Sequence, residues 1–419
     1  MTAPPPASPS EPPASIGGTC APGWEPVRDA FAANLAERGE VGAAVHVIVD
    51  GEVTVDLHGG WTDEARTREW QPDTLVDVYS VGKGLLAALV LQLVDDGTLR
   101  LDLPIAEVWP EFAAGGKAGA TVEHALTHRA GVPAIRERLT DADLFDWATM
   151  TAAVAATEAW SPPGERLVYH TNTFGHLVGE LIRRASGDPP GDRLRRLAAP
   201  LDADVWFGVP ETEQHRCADI LWAPASPIPT LASFDGLDGD LLMSALSQLN
   251  PPGYSSIGLV NTPEWRALPL GSTAGHASAR GVARVYAALL EPDRVLSAPL
   301  LAEAGRAQAT GFCPILGNEV TFGLGFQPTT DRRPLGPNLR SFGHFGSGGA
   351  LGFADPDAGL AFEEQRPLHP QAQEQNRRQR AVGHITRPLQ HGERILDRGG
   401  NCLRLALHVN SVLGWLQHM

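Results

Sequence analysis

YSVGKGLLAALVLQLVDDG, residues 79–97, sets a serine and a lysine three apart and continues as an apolar run ending on Asp95-Asp96-Gly97. The run predicts a buried helix that starts at Ser80, with Gly97 just past its end, where a left-handed backbone stops a helix. Residues i and i+3 share a helix face, so the Lys83 amine is held beside the Ser80 hydroxyl. At a helix start the serine oxygen also feels the positive end of the peptide dipoles, which favours an alkoxide and later an oxyanion. The same field, with desolvation by the leucine-rich helix, disfavours the ammonium form of Lys83. A neutral amine accepts the serine proton; an arginine would not, because guanidinium does not deprotonate in proteins.

Composition sharpens this reading. Of 33 basic residues only Lys83 and Lys117 are lysines, so a chain that uses arginine 31 times keeps a lysine where a tunable amine is needed. With 18 serines and two lysines, accident seldom sets such a pair three apart. Ser80 is therefore the candidate nucleophile and Lys83 its base.

Upstream, Val27, Phe31 and Leu35 recur at intervals of four within Trp24 to Glu37, a helical spacing. VHVIVDGEVTVDLHGG (45–60) is two alternating β-branched runs joined by Asp50-Gly51, a pair that supplies the positive φ of a tight hairpin. The antiparallel sheet is expected to begin near Val45. Residues 1–22, rich in Pro, Ala and Ser, are expected to be a disordered lead-in. Downstream, helical segments and loops alternate to about residue 260, and ARGVARVYAALL (279–290) reads as another helix. TFGLGF (321–326), SFGHFGSGG (341–349) and GLAF (359–362) read as strands returning to the sheet. The predicted fold class is α/β, of the α+β type: an antiparallel sheet flanked by helices, with a mostly helical domain inserted. Its α/β part is expected at about 23–79 and 265–362, and its helical part at about 80–264.

Residues 363–419 do not match what precedes them. They hold eight arginines against five acids, a charge of +3, whereas residues 1–362 hold 25 basic against 44 acidic side chains, −19. Seven glutamines crowd into the same tail. Glu363-Glu364-Gln365-Arg366-Pro367 is not expected to pair as a buried strand, so the tail reads as foreign or frame-shifted and 363–400 as disordered. CLRLALHVNSVLGWL (402–416) has helical apolar spacing and is the one candidate for a closing helix. A shortened sheet edge beside the His344 strand is the expected cost.

A formal charge of −16 repels polyanions, so neither nucleic acid nor membrane insertion is expected. Gly84 to Val94, the longest apolar stretch with one glutamine inside, is too short to span a bilayer. Cys20, Cys217, Cys313 and Cys402 lie far apart, as reduced thiols rather than a disulfide framework. The first residues have neither a basic region nor an apolar one, so a cytoplasmic protein is expected. HExxH, CxxC and His-x-His are absent and no metal or cofactor is expected; there is no Gly-x-Ser-x-Gly elbow either.

Two further places carry candidate chemistry. Tyr169 follows the turn Pro162-Pro163-Gly164 in LVYHTNTFG. It reads either as a phenol that relays a proton or as a core tyrosine capping a backbone group; the adjacent His170 reads as structural. In His344-Phe345-Gly346-Ser347-Gly348-Gly349, glycines on a strand let backbone N–H groups approach a ligand, or mark a structural bulge.

Taken in order, YSVGKGLLAALVLQLVDDGTLRLDLPI, ALTHRAGVPA, PPGERLVYHTNTFGHLVGELIRRASG and FGHFGSGGALGFADPDAGLAF resemble the serine β-lactamase and penicillin-binding-protein superfamily. The likeness is to its esterase branch, the family VIII carboxylesterases, and covers roughly residues 24 to 362. It implies a β-lactamase/DD-peptidase-like fold, with Ser80 as acyl-accepting nucleophile, Lys83 as base and Tyr169 as proton shuttle. His344, Gly346 and Ser347 would bind substrate, Ser347 supplying an oxyanion amide. Thr171 and His344 stand where lactamases of the closest type carry asparagine and an anion-gripping cation. Both departures point to a small-molecule ester rather than a penicillin. A β-lactamase, a DD-peptidase or amide hydrolase, and a catalytically dead binding relic are the alternatives. Nitrocefin turnover distinguishes the first, and a burst with an activated ester excludes the last.

Overall fold

The computed structural model of the chain describes residues 15–37, 40–221, 235–336 and 338–367. Among them, twelve strands form three sheets. In chain order they are β1 (Ile16–Cys20), β2 (Gly42–Val49), β3 (Glu52–Gly60), β4 (Val76–Asp77), β5 (Val205–Trp206), β6 (His276–Ala277), β7 (Ala309–Cys313), β8 (Asn318–Phe322), β9 (Gln327–Pro328), β10 (Phe342–Phe345), β11 (Leu351–Asp355) and β12 (Leu360–Gln365). The main sheet runs β1-β3-β2-β12-β11-β10-β9, antiparallel throughout. Asp50 and Gly51 turn the β2–β3 hairpin with φ of 51° and 81°, the geometry a two-residue turn of this twist demands.

Alternation along the strands splits the side chains between two faces. On one, helix α1 (Glu25–Glu37) lays Val27 and Phe31 on Val45, Val47, Val55 and Leu57. On the other lies the helix Ala279–Leu290, packed against β2, β11 and β12. Beyond it sits helix α2 (Val81–Asp95), buried nearly all round, as its predominantly apolar sequence requires. It packs between β10 and the helix Thr173–Ser186, and ends on the cap Asp96 followed by Gly97 with φ 79°. Between β4 and β6 the regular elements among the described residues are helices, apart from the two-residue β5.

Three expectations are corrected. The lead-in does not extend to residue 22, because β1 pairs with β3 from Ile16↔Gly59 to Cys20↔Val55, so the sheet begins well before Val45. Composition marked the stretch as disordered, but the ladder uses backbone groups, which glycines and threonine supply as well as any residue.

The second correction concerns Glu363-Glu364-Gln365. These residues continue β12 as a buried central strand, paired to β2 from Leu360↔Val49 to Gln365↔Ala44 and to β11 as far as Leu351↔Glu364. Two flanking strands fix the backbone, and the side chains adapt: burial, then the charge of Glu364, holds the Glu363 carboxyl well above its usual range, which favours the neutral acid. Pro367 comes after the last pair, where it removes no ladder bond.

Third, the sheet is not shortened beside the His344 strand, since β11 separates β12 from β10. The expected disorder of 363–400 therefore fails for 363–367. Residues 368–400, the 402–416 helix and Cys402 lie outside the described residues. Within them Cys20, Cys217 and Cys313 are free thiols, and no helix is long and apolar enough to cross a membrane.

Candidate active site

Ser80 stands at the N-cap of α2 and is buried, yet its hydroxyl makes no capping bond to the helix. The turn that presents it is strained. Tyr79 has φ 47°, a left-handed conformation costly for a bulky residue. Asp77 holds that turn: Oδ1 accepts the Tyr79 N–H at 2.8 Å and Oδ2 accepts the Trp265 indole N–H at 2.9 Å.

With no cap to serve, the Ser80 hydroxyl faces Lys83. Lys83 Nζ lies 2.8 Å from Ser80 Oγ and donates to the carbonyls of Thr171 at 2.7 Å and Ser272 at 2.9 Å. The ammonium is fully buried, and this desolvation holds its pKa well below the usual 10.5. Thr171 and Ser272 arrive from distant parts of the chain, tied together by Asn172. The Asn172 carbonyl accepts the Ser272 hydroxyl at 2.9 Å, and its Oδ1 accepts the Thr273 hydroxyl at 2.7 Å.

Tyr169 lies across the same amine, with Lys83 Nζ 5.0 Å from its ring centroid. The ring stacks on Phe322, and its backbone N–H donates to Cys313 Sγ at 3.3 Å. Burial raises its phenol pKa, against the pull of a hydrogen bond with Ser80 and the Arg333 charge. At neutral pH Tyr169 is thus a proton donor, and Lys83 the group poised to lose its proton.

His170 is occupied by the fold: Nε2 accepts the Val132 N–H at 3.2 Å and Nδ1 meets the Val168 carbonyl at 2.7 Å. His344 is buried on β10, its ring centroid 6.3 Å from that of Tyr169. Its Nδ1–H donates to the Phe345 carbonyl at 2.7 Å. Burial first, then the charge of Lys83, pushes its pKa down to about 3, so it carries no charge at neutral pH.

Where β10 ends, Gly346 touches the backbone leading into the nucleophile; a Cβ there would lie 2.4 Å from the Val78 carbonyl oxygen. Ser347 follows, exposed, and opens a 3-10 turn through Gly349. The fold thus brings Ser80, Lys83, Tyr169, His344 and Gly346 into one cluster, with Ser347 at its rim.

Several of its parts were not legible in the sequence. Carbonyls from Thr171 and Ser272 have no side-chain signature. His128, in ALTHRAGVPA, packs 4.8 Å from the Tyr169 ring and accepts the His170 N–H on Nδ1 at 3.1 Å. Arg333, in the loop before β10, is buried with its guanidinium 5.9 Å from the Phe345 ring and acts on Tyr169 through its charge. No group of three or more His, Cys, Asp or Glu side chains that could hold a metal ion occurs among the described residues.

Comparison with known proteins points the same way. The Beta-lactamase family model matches residues 27–363. Esterase/beta-lactamase LipL of Mycobacterium tuberculosis is 31% identical over 368 residues, covering 83% of this chain and 82% of LipL. A crystal structure of a family VIII carboxylesterase superposes with a TM-score of 0.77 at 33% identity, covering 94% of this chain and 99% of that one. A penicillin-binding protein homolog from Caulobacter crescentus gives a TM-score of 0.76, also at 33% identity, over 85% of this chain and 97% of its own.

Proposed function

The chain belongs to the Beta-lactamase family and is a serine hydrolase; within that family we propose that it hydrolyses short-chain carboxylic esters through an acyl-Ser80 intermediate. The observation that carries this reading is the setting of Lys83. Two of its three partners are carbonyls, which only accept. A neutral amine satisfies both with its two N–H bonds and has one lone pair left, facing Ser80 Oγ. Losing the lysine proton therefore strands no buried carbonyl, and it creates the base the serine needs.

Ser80 Oγ gives its proton to Lys83 and bonds to the ester carbonyl carbon. The carbonyl π pair moves onto oxygen, where the N–H groups of Ser80 and Ser347 receive the oxyanion. As the oxyanion collapses, the bond to the alkoxy oxygen breaks, and Lys83 or Tyr169 supplies the proton that makes it an alcohol. Water then attacks acyl-Ser80 by the reverse sequence and releases the carboxylic acid.

The neutral state of His344 supports an ester over a substrate held by its carboxylate. The names of the esterase-type relatives support it as well. One observation favours a second reading. The buried Arg333 guanidinium beside Tyr169 is a cation suited to the carboxylate of a β-lactam or peptide-like acyl donor.

Turnover of nitrophenyl acetate and butyrate by wild type and Ser80→Ala tests the proposal. Alanine is tolerated at a helix start, so the variant should keep its circular dichroism and lose activity. Full turnover by Ser80→Ala, or a wild type in which no acyl group can be trapped on Ser80 during turnover, refutes it.

A further inference from the structure

We propose that Arg366, the first residue after β12, is a positioning residue that sets the direction of the Ser347 N–H by clamping the turn Gly346–Gly349. The inference rests on the acyl-Ser80 reading and adds to it the part played by a residue whose surroundings read, in the sequence, as an intrusion.

Arg366 Nε donates to the Gly348 carbonyl at 3.0 Å, and Nη1 donates to Glu40 Oε2 at 3.2 Å. Glu40 is buried and Arg366 partly buried, which shields the contact from solvent; burial raises the Glu40 carboxyl to about 7 against the pull of the Arg366 charge, and Oε2 accepts from Arg366 in either protonation state. The guanidinium lies against the turn itself: a Cβ on Gly349, whose φ is 107°, would fall 2.2 Å from Nη2. Only glycine at 349 lets the arginine approach.

The clamp acts through two linked peptide groups. The carbonyl of Gly348 and the N–H of Gly349 belong to one planar unit. Arg366 holds its oxygen, and its N–H points back to the Gly346 carbonyl at 3.4 Å. That carbonyl shares the Gly346–Ser347 planar unit with the N–H of Ser347. Gly346 is fixed at its other side, its N–H donating to the Ala350 carbonyl at 2.7 Å. Gly348 carries φ 81°, so without an external hold a glycine-rich turn of this kind has several backbone conformations within reach. Glu40 anchors the arginine, because a guanidinium donates in a rigid fork and cannot follow a moving carbonyl while bonded to a second group.

An oxyanion donor works only where the developing charge appears, and a misplacement of about 1 Å can cost about a hundredfold in rate. The test compares wild type, Arg366→Ala and Arg366→Lys with nitrophenyl butyrate, every rate being referred to active sites counted by irreversible phosphonate labelling of Ser80 run to completion. Unfolded molecules then drop out of the comparison. Arg366→Ala should lose about ten- to a hundredfold in kcat with KM within about twofold, since the donor acts on the oxyanion and not on the bound ester. Arg366→Lys, which keeps the charge beside Glu40 without the fork, should recover only part of the loss. Wild-type kcat per titrated site in either variant, or a loss confined to KM, overturns the clamp. A wild type whose Ser80 carries neither label nor trapped acyl group overturns the acyl-enzyme reading beneath it instead.

Discussion

Lys83 and Lys117, the two lysines of the chain, are both buried and each reaches three oxygens, but the third oxygen differs in kind. Lys117 Nζ donates to the carbonyls of Ala114, Ala155 and Thr157. Lys83 meets two carbonyls and the hydroxyl of Ser80. Three carbonyls require three N–H bonds, so Lys117 is held as an ammonium even though burial pushes its pKa down to about 8. A hydroxyl can reverse its role from acceptor to donor. That freedom separates a structural lysine from a candidate base.

Lys83→Arg should lower kcat by about 10²–10⁴-fold, the usual range for a lost general base, because charge is retained and the proton acceptor is not. The wild-type pH–rate profile should show activity falling as acid protonates Lys83, with that limb well below pH 10.5. A kcat for Lys83→Arg equal to wild type, measured with nitrophenyl butyrate, would remove the amine from the mechanism.

Lys117→Met should do the opposite. Three buried carbonyls lose their donor, at a cost of at least about 2 kcal/mol in unfolding free energy. The rate per titrated active site should stay at wild type, as Lys117 makes no contact with Ser80, Lys83 or Tyr169. Urea melts and label-normalised kinetics separate the two effects.

Short-chain nitrophenyl esters should be turned over with far higher kcat/KM than nitrocefin or benzylpenicillin. His344 is uncharged at neutral pH and offers a lactam carboxylate little. If Arg333 takes over that grip, kcat/KM for lactams rises to the ester value, and Arg333→Ala abolishes the lactam activity first.

Glu363 should be a site where a substitution stabilises the protein. Both carboxyl oxygens are buried and make no well-formed hydrogen bond among the described residues, the approach of Gln365 offsetting little of the burial. Glu363→Met keeps the length of the side chain and should gain about 1–3 kcal/mol, the cost of one unsatisfied buried polar group. The sign with pH follows from a folded pKa raised above the usual 4.5. The contribution of the neutral acid is fully present below pH 4.5 and is lost as pH rises through the folded value. Melting temperature in wild type should therefore fall with rising pH over that window, and the slope should shrink in Glu363→Met.

Legibility followed the range of the interactions. Ser80 and Lys83 were readable because one helical turn joins them. The Asp50-Gly51 hairpin was readable because its turn is local too. The Thr171 and Ser272 carbonyls lie 88 and 189 residues from Lys83, and main-chain oxygens leave no trace in residue identity. Glu363 and Gln365 misled for the converse reason: side-chain polarity was read where backbone pairing to β2 and β11 decided the outcome. β1 was hidden in the same way, behind a Pro-rich prefix that stops just before Ile16.

The place of β12 between β2 and β11 has a consequence for biosynthesis. The β1-β3-β2 half of the sheet leaves the ribosome more than 250 residues before β9 through β11, and within the sheet only β12 lies between the two halves. Until Gln365 emerges, each half presents an open edge, and α2 has been made without the sheet that will cover it. Non-local pairing of this kind is slow, and unpaired edges invite association with other chains. A nascent chain stalled before Leu360 should accordingly be bound by chaperones and unable to acylate, whereas one released past Arg366 should close its sheet and gain activity in the same step.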